Sequence, residues 1–160
     1  MLSFSPASPD DYKYIVAWND GRDAEYLHQW AGYNVFVHPL TAEQLAVHAQ
    51  KFDRRIYMIY DGADAIGSYE LDRIDPQSGT AFLCRFILRH DVQGKGVGEA
   101  ALRMMADFVF NNMGFTQLKL GVYCFNVPAI RCYEKVGFRV LEYRPHDNPQ
   151  WNMYIMDIKT

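Results

Sequence analysis

The sequence predicts an α/β fold, a mostly antiparallel sheet with helices, in one domain spanning residues 1–160. Three observations carry this. Hairpin signals cluster mid-chain: Asp61-Gly62 lies between two strand-like runs, and Asp75-Pro76-Gln77-Ser78-Gly79 separates the second from a third. Stretches of helical period, opened by capping residues or closed by glycine, alternate with stretches of strand period. The 160 residues, 49% hydrophobic, are enough for one core, and no repeat, low-complexity segment or linker divides them.

Element by element, Ser8-Pro9-Asp10-Asp11 supplies an N-cap, a first-turn proline and an acid for a helix carrying Tyr12, Ile15, Val16 and Trp18. Asp20 to Leu40 has no sustained period and reads as a short helix plus an ordered loop. Thr41-Ala42-Glu43-Gln44 is a capping box opening a helix with Leu45, Ala49 and Phe52 on one side. Arg55–Tyr60, Ala65–Leu71 and Thr80–Leu88 read as strands. Ala101, Leu102, Met105, Phe108, Val109 and Met113 follow helical spacing up to Gly114. Thr116–Val122 is a strand with Leu118, Leu120 and Val122 on one face. A helix from Val127 to Lys135 stops at Gly137, and strands near Phe138–Tyr143 and Asn152–Ile158 finish the chain.

Composition excludes several classes. A net charge of -3 argues against a nucleic-acid partner, which calls for a basic face. No apolar run approaches the ~20 residues of a membrane span, so no membrane partner is expected. Met1 to Pro6 has neither the charge nor the apolar run of a signal peptide. Cys84, Cys124 and Cys132 form no CxxC pair, which points to reduced thiols in a cytoplasmic protein, with no metal site.

The densest chemistry lies in Gln93-Gly94-Lys95-Gly96-Val97-Gly98, where alternating glycines meet the start of a helix. Such a loop turns several N–H groups toward one point, and the helix end adds about half a positive charge, which together make a phosphate seat. It is not a Walker loop, because Lys95 is followed by Gly96. Nor is it a dinucleotide fingerprint, because the glycines alternate and no βαβ unit precedes them. Gln93-x-x-Gly96-x-Gly98 instead resembles the pyrophosphate loop of the GNAT superfamily of N-acetyltransferases. Phe86 to Val92 looks like the end of that family's fourth strand, though His90 stands where many members have proline. Asn126-Val127-Pro128-Ala129, followed by Tyr133-Glu134-Lys135-Val136-Gly137-Phe138, looks like its second signature.

The resemblance implies a GNAT-like mixed, mostly antiparallel sheet of about six to seven strands flanked by about four helices, and acetyl-CoA as co-substrate without a metal. It implies that the backbone of Phe86, Ile87 and Leu88 takes the pantetheine arm where the fourth strand bulges. Gln93, Gly94, Lys95, Gly96, Val97 and Gly98 would take the pyrophosphate, and Lys95 is equally a solvated surface lysine. Asn126 contacts the pantetheine arm, caps its helix, or both. Tyr133 is the implied catalytic residue, a phenol that protonates the departing thiolate. By spacing alone it is a core-facing aromatic beside Ile130 and Val136.

The base stays open. Thr80–Leu88 holds no Glu or His, and the alternatives are Glu70, Asp72 or water, although both carboxylates also read as ordinary solvated strand residues. The acceptor is expected to be an amine of a small molecule or a peptide. In this fold it enters over the first two helices, near Tyr26, His28, Trp30, Tyr33, Phe36 and His38, most of which read individually as core. Asp20, Asp23 and Glu25 attract a cation or are merely exposed. The other functions in play are a non-catalytic acyl-CoA-binding regulatory module and a transferase of another acyl group. Family members often dimerise, so a homodimer, with Trp151 and Tyr154 contributing, is an expectation.

Overall fold

Leu2–Pro6 forms β1, a strand that the period of so short a stretch does not disclose; it pairs antiparallel with β2 (Arg55–Asp61). The computed structural model describes residues 1–160. Its strands lie in one seven-stranded sheet of order β1-β2-β3-β4-β5-β7-β6, where β3 is Asp64–Asp75, β4 Thr80–Leu88, β5 Gln117–Tyr123, β6 Arg139–Arg144 and β7 Met153–Lys159. The β1/β2, β2/β3, β5/β7 and β6/β7 ladders are antiparallel, and β4/β5 is parallel from Thr80↔Gln117 to Leu83↔Leu120. There are five α-helices: α1 Tyr12–Ala17, α2 Ala24–Ala31, α3 Ala42–His48, α4 Val97–Asp107 and α5 Val127–Val136. The chain forms two compact units, Met1–Asp72 with Cys84–Gln93, and Arg73–Leu83 with Gly94–Thr160.

In the first unit, Ser8 starts a 3-10 turn (Pro9–Asp11) that runs into α1; its N–H and hydroxyl both donate to Asp11 Oδ2, at 2.7 and 3.2 Å. Asp23 caps α2 by accepting from Tyr26 N at 2.8 Å. Thr41 caps α3 by accepting from Gln44 N at 3.2 Å. The Gln44 side chain reaches back past the N-cap instead of closing a capping box, accepting from Val37 N and donating to Val37 O and Pro39 O. That ties down the loop after α2, which is why an aperiodic stretch is ordered. The helices bury Ile15, Leu27 and Leu45 with Phe36 and Met58 in one apolar cluster. Phe52 is the exception to the expected helix face: α3 ends at His48, and Phe52 lies beyond it, 86% exposed.

In the second unit, α4 buries Ala101, Leu102 and Met105, then widens into a π turn (Phe108–Asn112) before Gly114, at φ +72°, ends it. Leu118, Leu120 and Val122 of β5 are all buried, so the alternation read from the sequence marks the core face. Phe138 and Met156 of the same unit are also buried.

Two strand residues other than glycine adopt left-handed backbone: Arg73 (φ +49°) and Arg85 (φ +50°). Such a conformation costs an L-residue about 1–2 kcal/mol, so something must hold it.

Candidate functional site

The glycine loop has the backbone a cradle needs. After β4 a 3-10 turn (His90–Val92) leads to Gly94 and Gly96, with φ of +74° and +79°. Gly96 is the N-cap of α4 in left-handed geometry. A Cβ added at either glycine would meet nothing within 4 Å, so φ, not crowding, demands glycine there and the space above the loop is open. Val97 and Gly98 are the first residues of α4, and their N–H groups precede any intrahelical acceptor. Open space, unpaired amides and the positive end of an eleven-residue helix fit a phosphate group. Lys95 is exposed on this loop. Gln93 does something else: its Nε2 donates to Leu88 O at 3.0 Å, folding the loop back onto the end of β4. The acid in the first turn, Glu99, is paired with Arg103 at 2.9 Å. Arg103 also donates to Lys135 O at 2.8 Å, which ties α4 to the end of α5.

At Phe86–Leu88 one edge of β4 faces β3. Arg89 N donates to Ile66 O at 2.8 Å. A Cβ on Gly67 would lie 2.8 Å from Ile87 O, so only glycine lets β3 approach so closely. Backbone groups alternate along a strand, so Ile87 and Arg89 point to β3 while Phe86 and Leu88 present theirs to the opposite edge. Leu88 O already accepts from Gln93, which leaves the N–H and C=O of Phe86 and the N–H of Leu88 as the groups an extended amide chain would pair with.

Asn126 is a helix cap. Its side-chain oxygen accepts from Ala129 N at 3.4 Å and its carbonyl from Ile130 N at 3.1 Å. Tyr133 is half-buried on α5, its ring edge-on to Phe138 at 5.9 Å. Gly137, at φ +120°, ends the helix so that the N–H groups of Gly137 and Phe138 both donate to Tyr133 O, at 3.2 and 3.0 Å. The Tyr-Glu-Lys-Val-Gly-Phe run is therefore a C-terminal stop that fixes the tyrosine's backbone and sets its ring in edge contact with a core phenylalanine.

The first unit holds a feature that sequence reasoning missed. Glu70 and Asp72 are not solvated strand carboxylates; they are 3% and 4% exposed. Arg85 bridges them, Nε to Glu70 Oε1 at 2.7 Å and Nη2 to Asp72 Oδ2 at 2.5 Å. Arg54 Nη2 reaches Asp72 Oδ2 at 2.9 Å and Lys51 Nζ reaches Asp72 Oδ1 at 3.1 Å. His48 Nε2 lies 2.8 Å from Glu70 Oε1, and Arg54 Nη1 lies 2.9 Å from His48 Nδ1. A guanidinium only donates, so His48 Nδ1 is the acceptor and Nε2 carries the hydrogen given to Glu70. His48 is then a neutral relay of hydrogen bonds. Burial alone pushes the Asp72 carboxyl up, but bonds from Arg54 and Lys51 and the charges of Arg54 and Arg85 overcome it and hold it well below the usual range. For Arg85, burial favours the neutral form, and the Glu70, Cys84 and Asp72 charges reverse that, raising its pKa. The sequence signal was faint: Glu70-x-Asp72 places two acids on the same face of a strand, and the basic partners come from other elements.

The acceptor-side aromatics divide. Phe36 is buried against Trp30 and His48, and Trp30 Nε1 donates to Asn19 Oδ1 at 2.8 Å. These are core. Tyr33 and His38 are exposed, with Tyr33 edge-on to His28 and His38 Nε2 2.8 Å from Arg22 O. Asp20 and Asp23, with Arg22, Leu27 and Leu40, line an open cleft beside α1 and α2. The three cysteines are free, and burial raises the Cys132 thiol pKa, so it is no ready nucleophile. No cluster of three or more His, Cys, Asp or Glu side chains is arranged to hold a metal ion, and no helix is long and apolar enough to cross a membrane.

Strand β4 thus carries a left-handed residue, Arg85, and the chain after it caps α4 with a left-handed glycine, two features the sequence resemblance called for. The sequence pattern described as the acetyltransferase (GNAT) family matches residues 15–138, and the chain belongs to that family. Among curated proteins it is 28% identical over 89 residues to the SPbeta prophage-derived uncharacterized N-acetyltransferase YokL of Bacillus subtilis (strain 168), covering 56% of this chain and 50% of that protein. It is 40% identical over 45 residues to the kanamycin resistance protein of Rhizobium radiobacter, covering 28% of this chain and 42% of that protein. The chain thus spans half or less of the length of these relatives. Among solved structures, spermidine N-acetyltransferase from Vibrio cholerae in complex with CoA and spermine superposes with a TM-score of 0.82 at 20% identity, over 99% of this chain and 95% of that one. A dodecameric structure of that enzyme, in an intermediate state, gives 0.77 at 21% identity, over 99% and 93%.

Proposed function

We propose that this protein is an acetyl-CoA-dependent N-acetyltransferase that moves an acetyl group directly to a primary amine of a small molecule. The observation that carries it is the left-handed glycine cap on α4, with open space over its unpaired amides, in a chain that also ends α5 with Tyr133 fixed above Gly137-Phe138. The family match supports the acyl donor. The relatives point toward small amines: a kanamycin resistance protein and a spermidine N-acetyltransferase crystallised with spermine.

In this reaction the amide edge of Phe86 and Leu88 takes the pantetheine arm, and the amides of Gly94 to Gly98, with Lys95 nearby, take the pyrophosphate. The amine nitrogen attacks the thioester carbonyl carbon, the C–S bond breaks, and Tyr133 gives its phenolic proton to the leaving sulfur. The proton lost by nitrogen goes to water. Asp72 is a poor base, because its cationic partners hold its carboxyl low. Glu70 is engaged at Oε1 by His48 and Arg85. The substrate must therefore reach the enzyme as the free amine, which for a lysine-like group costs roughly 4 kcal/mol at pH 7.5. The three free thiols and the cofactor suit the cytoplasm, and a dimer or larger assembly of this chain is in keeping with the dodecameric neighbour.

The absence of a spare base among these carboxylates favours one other reading, a CoA-binding module without turnover. A panel of primary amines with acetyl-CoA and a thiol reagent separates the two. Amine-dependent thiol release supports the enzyme, and CoA binding without release on any amine supports the module.

A further inference from the structure

Arg85 is the one residue of β4 with left-handed backbone, at φ +50°, and its side chain is nearly buried. Its guanidinium is saturated on three sides: Nε on Glu70, Nη2 on Asp72, and Nη1 on Ala31 O at 3.4 Å. Its anchors come from β3 and the end of α2, and Arg54 and His48 fasten the same carboxylates from α3 and the turn after it. The next residue along the strand is Phe86.

We propose that Arg85 is a positioning residue for the acyl donor: the Arg85–Glu70–Asp72 clamp holds the left-handed backbone of β4 at Arg85 and thereby fixes the direction in which Phe86 presents its N–H and C=O groups and Leu88 its N–H. Arg85 touches neither substrate. Its side chain compensates for a backbone conformation that an arginine would otherwise leave, and the reward is a strand edge whose hydrogen-bonding groups stay aimed away from β3. The clamp needs a forked, permanently charged donor that can serve two carboxylates two residues apart on one strand, which lysine cannot reproduce. The donor-binding part of this role rests on the acetyl-CoA reading above.

The test compares wild type with Arg85→Lys, Arg85→Ala and Arg85→Gly in the full chain, by calorimetric titration with CoA and by steady-state kinetics. Wild-type binding of CoA comes first: if wild type binds none, the acetyl-CoA reading fails and the variants are not needed to show it. Given wild-type binding, Arg85→Lys is expected to weaken CoA about tenfold, equal to about 1.4 kcal/mol, and to raise KM for acetyl-CoA by a similar factor. KM for the amine should stay within about twofold. Arg85→Gly, which tolerates the left-handed backbone, should bind CoA better than Arg85→Ala although it is the smaller side chain. A purely structural residue would lower thermal stability in all three without that split between the two KM values and without Gly outperforming Ala in CoA affinity. If Arg85→Lys folds and binds CoA as wild type does, or if Arg85→Ala equals Arg85→Gly, the proposal is overturned. Should the Ala variant fail to fold, the Lys and Gly variants decide it on CoA affinity alone.

Discussion

The glycine loop and the charged cluster on β3 both manage charge, and they do so in opposite ways. The loop uses no side chain: positive φ at Gly94 and Gly96 aims backbone amides into open space, so its electrostatics are unspent. The cluster uses charged side chains: Glu70 and Asp72 are matched by Arg85, Arg54, Lys51 and His48, the backbone oxygens of Ala31 and His48 take further guanidinium hydrogens, and Arg54 Nε is the member left buried without a hydrogen-bond partner. Unspent polarity at a surface marks where a ligand goes, whereas satisfied polarity in the interior marks what holds the shape. Glu70 and Asp72, tempting as bases from sequence, fall on the second side of that line.

If the cluster is structural, breaking it should cost stability first. Asp72→Ala strands Arg85 and Arg54 and is expected to lose about 3 kcal/mol, roughly 6–12 °C in Tm for a chain of this size, measured by thermal or urea unfolding. The pH dependence has a definite sign. The folded-state pKa of Asp72 is depressed, so its contribution is fully present above the ordinary carboxylate value near 4 and is lost as pH falls below that toward the folded value. Wild-type stability should therefore drop below about pH 4, and Asp72→Asn should flatten that drop. An unchanged acid limb in the variant would move Asp72 out of the structural group.

Next in size, Tyr133→Phe should lower kcat about a hundredfold with KM for acetyl-CoA nearly unchanged, because the ring packing on Phe138 survives. Equal kcat in the two proteins would remove Tyr133 from the chemistry. Gly96→Ala meets no clash, only a forbidden φ, and should cost about 1–2 kcal/mol, read as roughly tenfold weaker CoA binding. Wild-type affinity in that variant would show that the loop does not hold the pyrophosphate. The smallest effect concerns the base. Across amines of differing pKa, the alkaline rise of kcat/KM should track each amine's own pKa if no protein carboxylate takes the proton; a single pKa shared by all amines would restore Glu70 as a candidate.

How much of this was legible beforehand follows the same division. The features carried by local backbone rules were readable: the Asp61-Gly62 hairpin, the Ser8 and Thr41 caps, the Gly114 and Gly137 stops, and the buried face of Leu118, Leu120 and Val122. Gly94 and Gly96 belong here too, since alternating glycines before a helical period imply positive φ. What stayed hidden was set by distant partners. Strand β1 is too short to show a period and exists because β2 pairs with it. The Gln44 side chain looked like half of a capping box and instead secures the Val37–Pro39 loop. Arg85 gave no signal in the sequence because its carboxylates lie 13 and 15 positions away. Gln93, expected at the pyrophosphate, spends its side-chain amide on Leu88 O.

The central claim is that the unspent amides of the loop and the phenol of Tyr133 serve transfer of an acetyl group to an amine. It is tested most directly by following thiol release from acetyl-CoA over a panel of polyamines, aminoglycosides, amino acids and peptides. Release that depends on at least one amine, saturates with acetyl-CoA and falls about a hundredfold in Tyr133→Phe is the expected result. Release no faster than in buffer for every amine, with CoA bound, would contradict it.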